Sequence, residues 1–143
     1  MNIKQALKKK NVLVNEIKQE FAKIQNYNSV EVGNKRAYSA TDALKKYLDK
    51  TDELITLKTA IHLANAPVYG KIFRLSELKS IIKFLNSINC TEGKETRSYS
   101  SVEARIMEAE IGIVERDNKV KAFEIEIDKI QDELDYHNAT TEL

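Results

Sequence analysis

Residues 102–137 constrain the fold more than any other part of the chain. Positions 102, 106, 109, 113, 116, 120, 123, 127, 130, 134 and 137 read Val, Ile, Ala, Ile, Arg, Val, Phe, Ile, Ile, Leu and His, at alternating steps of four and three. Nine of the eleven are apolar, so one stripe stays hydrophobic for about five heptads, the pattern of a long helix wrapped on partners. As a single helix it would be roughly 50 Å long at about 1.5 Å per residue, too long for one short partner to cover.

A second pattern overlaps its start. Val102, Ala104 and Ile106 alternate with Glu103 and Arg105, which also fits a strand, and Gly112 would then join strand to helix. Ala, Glu, Met and Arg favour helix. The reading adopted is therefore helix over 101–137, capped by Ser100 with Glu103, with a strand inside 102–113 as the alternative.

Upstream, Asn2 with Gln5 forms a capping pair, and Ile3, Leu7, Val14, Ile17, Phe21 and Ile24 keep a three-four spacing, giving a first helix over about 2–27. Residues 28–38 break the period; Val30 and Val32 alternate before Gly33-Asn34, the pattern of a tiny hairpin. Ser39 with Asp42 restarts a helix over 39–65. Its wide apolar face, Leu44, Tyr47, Leu48, Leu54, Ile55, Leu57 and Ile61, calls for contacts on more than one side. Pro67 and Gly70 stop it, 68–73 reads as extended, and Leu75, Leu78, Ile81, Ile82, Leu85 and Ile88 mark a third helix over 75–89 with Ser76 as cap. The expected fold is mainly α, a single 1–143 domain: a four-helix antiparallel bundle, or coiled-coil hairpins with a long C-terminal helix, with room for a small β element in the connecting segments.

A chain of 143 residues has a modest core, and an elongated helical shape leaves it a large surface. Homo-oligomerisation is the expected remedy. The charge is divided: residues 1–100 carry 18 Lys/Arg against 10 Asp/Glu, net +8, and residues 101–143 carry 5 against 12, net −7. Opposite ends favour the last helix lying against the first, within one chain or between copies.

Several functional classes recede. The single Cys90 cannot form an internal disulfide, and with only His62 and His137 it cannot complete a zinc site, so no metal and no cofactor is expected. There is no apolar leader core and no run of roughly 20 apolar residues, so the expected location is the cytoplasm, without a membrane partner. Lys8, Lys9 and Lys10 make a basic patch, but duplex binding needs more clustered cations, so nucleic acid is not the expected partner. No phosphate loop, paired-histidine motif or nucleophile elbow is present, and a catalytic role is not expected.

One diffuse constellation has chemical content. Lys35, Arg36 and Tyr38 lie in the first irregular segment, Tyr69, Lys71 and Arg74 in the second, Arg97 and Tyr99 in the third. Arginine offers a planar fork, lysine a point charge and tyrosine a stacking face with a hydroxyl, a set that suits a nucleotide-like anion. The expected function is a non-catalytic oligomeric binding protein that sequesters such an anion near its helix ends. The alternatives are a purely structural coiled-coil or protein-interaction module, and nucleic-acid association through residues 8–10.

The tail, Ile130-Gln131 followed by Asn138 and Thr140-Thr141-Glu142-Leu143, resembles the close of the septicolysin-like family of small bacterial helical proteins. The resemblance extends upstream to Leu57-Lys58-Thr59-Ala60-Ile61 with Asn65, to Leu75-Ser76-Glu77-Leu78 and to Arg97-Ser98-Tyr99-Ser100. That family has an aromatic residue before Thr-Thr where this chain has Ala139, and a more basic middle helix. The resemblance implies a helical cytoplasmic protein without established enzymatic activity, and an extended segment near residues 102–106. The family name implies a cytolysin, yet a pore-former needs a lipid-facing helix or alternating barrel strands, and the stripes here are too short and too charged.

Overall fold

The computed structural model describes residues 1–95 and 105–143. It is mainly helical, with four helices, a long C-terminal one among them, and a two-stranded ribbon. The described chain forms two compact units, Met1–Val68 with Asp135–Leu143, and Tyr69–Leu134.

In the first unit α1 (Ile3–Tyr27) begins at the expected capping box: Gln5 N donates to Asn2 Oδ1 at 2.9 Å and Asn2 N to Gln5 Oε1 at 3.0 Å. This pairs N–H groups that the helix start cannot pair itself. α2 (Ala40–Ala64) begins at Ser39, whose Oγ accepts from Asp42 N at 3.2 Å. The helices run antiparallel, since Lys9 meets Glu53 and Lys50 meets Glu16, each at 2.6 Å, and the Phe21 ring lies 6.4 Å from Tyr47. Between them Ala6, Leu13, Leu57 and Ile61 form a buried cluster with Leu7 and Leu54 packed on it. The line at the centre of α1 is thus Ile3, Ala6 and Leu13, one residue ahead of the Leu7 and Val14 expected to lead it; the small Ala6 lets the backbones approach. Burying each leucine contributes about 1.5–3 kcal/mol. On α2 the second apolar side stays open, with Leu44, Leu48 and Ile55 exposed. Thr51, Thr56 and Thr59 each turn the hydroxyl back onto the carbonyl four residues earlier, at 2.7, 3.1 and 2.9 Å.

The expected hairpin at 28–38 does not form. Residues 28–39 contain a turn, closed by Asn34 N donating to Glu31 O at 3.1 Å with Gly33 at φ +92°, but no strand. Val32 has nothing to pair with and is fully exposed. Elsewhere in this unit the chain ends meet: Ile3 N donates to Thr141 O at 3.1 Å, Leu143 N to Met1 O at 3.0 Å and Asn2 Nδ2 to Ala139 O at 3.0 Å.

In the second unit α3 (Tyr69–Ser87) corrects two expectations. Residues 68–73 are not extended: a 3-10 turn, Ala66–Val68, carries Pro67 and is followed directly by α3. Proline fits a first helical turn, where its missing N–H is not needed. Tyr69 and Phe73 then stack as helical neighbours at 5.8 Å, and Ser76 lies inside the helix rather than capping it. Gly93, at φ +88°, opens β1 (Gly93–Glu95), which pairs antiparallel with β2 (Arg105–Met107) in the register Gly93 with Met107, Lys94 with Ile106 and Glu95 with Arg105. The single helix over 101–137 is therefore corrected: the alternating pattern with a partner strand prevails over helix propensity at 105–107. The expected cap Ser100 with Glu103, and Val102 and Ala104, lie outside the described residues.

α4 (Ile113–Thr140) starts just past Gly112, with Arg116 N donating to Gly112 O at 3.0 Å. Its 28 residues span about 42 Å. From Arg116 on, the expected stripe is the protected side: Val120, Ile130 and Leu134 are buried, and Arg116, Phe123, Ile127 and His137 half-buried, while its first position in the helix, Ile113, is exposed. On the opposite side Val114, Ile125 and Tyr136 recur every 11 residues and are exposed. α3 is tied to α4 by Lys71 with Glu133 at 2.7 Å and Arg74 with Glu126 at 2.8 Å, and it buries Leu78 and Leu85.

Candidate functional site

The join between α1 and α2 gathers three of the expected residues. Arg36 Nε donates to Tyr27 O at 2.9 Å and Nη2 to Asn28 O at 3.3 Å, so its cation closes the carbonyl end of α1, where the helix dipole favours positive charge. Tyr38 stands edge-on to Tyr27 at 5.4 Å, and Lys23 Nζ sits 4.9 Å from the centre of the Tyr38 ring, a cation–π contact. Lys35 is exposed beside them.

Next to this group opens a cavity of about 400 Å³ lined by Asn28, Arg36, Ser39, Ala40 and Thr41. Its floor is the start of the 25-residue α2, whose first N–H groups and dipole favour an anion. The guanidinium has five N–H donors; two go to the carbonyls, which leaves three. Arginine, hydroxyl, amide and helix N–H groups together can bind phosphate or carboxylate oxygens. Asn28, Ser39, Thr41 and Lys23 were missed as site residues. Ser39 was legible as a cap and stands three residues after Arg36, whereas Asn28 and Lys23 reach the site only through the fold.

The second group is used differently. Arg74 holds Glu126 through two bonds, 2.8 and 3.1 Å, and Lys71 holds Glu133. The Arg74 hydrogen bonds lower the Glu126 carboxyl below its ordinary range and raise the guanidinium; Lys71 lowers Glu133 in the same way. Tyr69 stacks on Phe73. Lys71 and Arg74 are thus ties between α3 and α4. Arg97 and Tyr99 lie outside the described residues.

A second cavity, about 370 Å³, is lined by Met1, Lys9, Glu53, Thr56, Leu57, Ala60 and Leu143, with its lysine and glutamate paired to each other. Glu20 is buried, with Oε1 accepting from Lys23 at 3.3 Å and Oε2 without a partner among the described residues. Lys50 is raised above its ordinary value, first by its hydrogen bond to Glu16. His62 is exposed, and His137 Nδ1 lies 3.1 Å from Thr141 Oγ1. Among the described residues no group of three His, Cys, Asp or Glu is placed to hold a metal ion, and no helix is long and apolar enough to cross a membrane. No family model, curated protein or solved structure matches the chain.

Proposed function

We propose that the protein is a non-catalytic binding protein that works as an assembly of several copies and captures a small nucleotide-like anion where α1 meets α2. The observation that carries the ligand half is the polar cavity at the start of α2, lined by Arg36 together with Ser39 and Thr41 of the helix start. Lys35, Lys23 and Tyr38 add charge and a stacking surface nearby. Lys71 and Arg74 belong to the α3–α4 join in this reading, so the ligand set contracts to the first group. The resemblance to septicolysin-like proteins accords with a role without catalysis.

Thermal denaturation with and without mononucleotides, cyclic dinucleotides and inorganic phosphate tests it. A ligand at about 100 times its Kd adds about 2.7 kcal/mol to stability, and Arg36→Ala is expected to abolish the upward shift in Tm. If no anion shifts Tm, or the shift survives Arg36→Ala, the ligand half is wrong.

A purely structural reading has its own support in the exposed apolar side chains of α2, α3 and α4. It expects an assembly with no anion response. Nucleic-acid association is less well supported, because Lys9 is drawn onto Glu53 and the triple lysine presents fewer free cations.

A further inference from the structure

α2 is apolar on two sides. One packs on α1; on the other Leu44, Leu48 and Ile55 are 48%, 53% and 57% exposed. Thr51, between them, has its hydroxyl spent on Tyr47 O. The four positions are spaced four, three and four, so at about 100° per residue they fall within about 60° of one another, in a line about 16 Å long. That is the a and d spacing of a helix that meets another helix, not of apolar groups scattered singly.

The charges on the margins of this line are few and ordered. On one margin Asp52 and Lys45 stand about 70° and 90° round from its centre. Both are exposed, and neither has an ion-pair partner among the described residues. The other margin carries Tyr47, with the Phe21 ring against it, and the half-buried Leu54. The midpoint of Lys45 and Asp52 lies between residues 48 and 49, and the midpoint of the four line positions between 49 and 50. The line and its charged margin are thus centred within one residue of each other.

This makes the surface its own complement. A second α2 laid antiparallel about that centre brings like margins together. Leu44 then meets the partner's Ile55, Leu48 meets the partner's Thr51, and Lys45 lies beside the partner's Asp52, each contact occurring twice. Lys58, about 50° to the other side of the line, falls level with the partner's Thr41, an uncharged residue. A parallel copy would instead turn the charged margin toward the partner's apolar one and leave both charges unpaired. Flanking charges set partner and direction in paired helices, and here they select the same helix reversed.

We infer that two copies of this chain pair by laying α2 on α2 antiparallel about residues 48–51, with Lys45 and Asp52 forming two symmetric ion pairs. The contact is isologous and closes at two chains. It rests on the self-assembly half of the proposed function and does not need the anion cavity.

Sedimentation and native mass spectrometry of the full chain test it, with circular dichroism verifying the helicity of every variant. Wild type is expected as a two-chain species and Leu48→Glu as a single chain. Lys45→Glu alone and Asp52→Lys alone each set like charges against one another twice, and each is expected to weaken pairing about tenfold. Mixing these two variants is expected to give a species with one chain of each at close to wild-type affinity, because both charge pairs are then opposite again. The double variant Lys45→Glu, Asp52→Lys is expected to pair with itself for the same reason. A single-chain wild type overturns both this inference and the self-assembly reading. An assembled wild type whose subunit number survives Leu48→Glu overturns the α2 contact alone. So does a mixture of the two charge variants that pairs no better than either by itself.

Discussion

The α1–α2 hairpin and the α3–α4 unit are joined by the same kinds of bonds arranged in opposite ways. In the first, the named ion pairs are reciprocal: α1 gives Lys9 and Glu16, and α2 gives Glu53 and Lys50. In the second they are one-sided, Lys71 and Arg74 from α3 and Glu133 and Glu126 from α4. Reciprocal pairing leaves both helices of a hairpin with mixed charge. One-sided pairing has α3 give only cations to the named bonds of its join and α4 only carboxylates. The apolar groups do not differ in this way: the first unit closes a cluster on Ala6, Leu13, Leu57 and Ile61 but leaves Leu44, Leu48 and Ile55 outside, and the second buries Leu78 and Leu85 but leaves Phe73 and Phe84 outside.

The largest effects should come from the two interiors. Leu13→Ala and Leu78→Ala, at 4% and 0% exposure, are each expected to lower stability by about 2–5 kcal/mol in urea titrations. Hydrogen exchange should place the loss in α1 and α2 for the first and in α3 and α4 for the second; loss spread equally over all four helices would erase the comparison. Next, Asn2→Ala removes the cap of α1 and the bond to Ala139 O, with an expected loss of about 1 kcal/mol. A loss within measurement error would mean that water replaces both bonds.

The smallest effects should come from the ion pairs and depend on pH. Glu126 and Glu133 are held below their ordinary value of 4.5. A lowered carboxylate adds stability that is present above its unfolded value and lost as pH falls through the folded one. The difference in denaturation midpoint between wild type and the Lys71→Met, Arg74→Gln double variant should therefore be present at neutral pH and vanish on acidification below about 4.5, and it should shrink with salt because these groups are exposed. Lys50 is raised above 10.5, so its contribution is full below that value and is lost as pH rises through the higher folded one. The difference between wild type and Lys50→Met should be present at neutral pH and vanish in strong alkali. A Lys50→Met difference that survived strong alkali would contradict this assignment.

The helices were legible wherever burial follows a 3.6-residue period and a local cap marks the start. Asn2 with Gln5, Ser39 with Asp42, and the Val120 to Leu134 stripe needed nothing beyond their neighbours in the chain. Residues 69–74 were not, because Pro67 and Gly70 announce a break that a 3-10 turn leading into a helix accommodates. At 105–107 two local signals competed, and a partner strand from residues 93–95, invisible to any window around Ile106, decided between them. The site divides along the same line. Arg36 and Tyr38 could be singled out from residue type, but the carbonyls of Tyr27 and Asn28 that engage the guanidinium depend on where α1 happens to end. The burial of Glu20 could not be read locally, because a glutamate on a helix is normally wet and tertiary packing alone covers it. The outer line of α4 escaped notice because an 11-residue repeat is too sparse to register beside the denser stripe across the helix.

The folded-back hydroxyls of Thr51, Thr56 and Thr59 alter what α2 presents to its surroundings. With each Oγ1 engaged by the helix's own backbone, the other branch at Cβ, a methyl, is left to meet solvent or a neighbour. Measured by hydropathy the flank of Leu48 and Ile55 reads as mixed, yet its outermost atoms are greasier than its letters, and valine in place of Thr59 should pass almost unnoticed there.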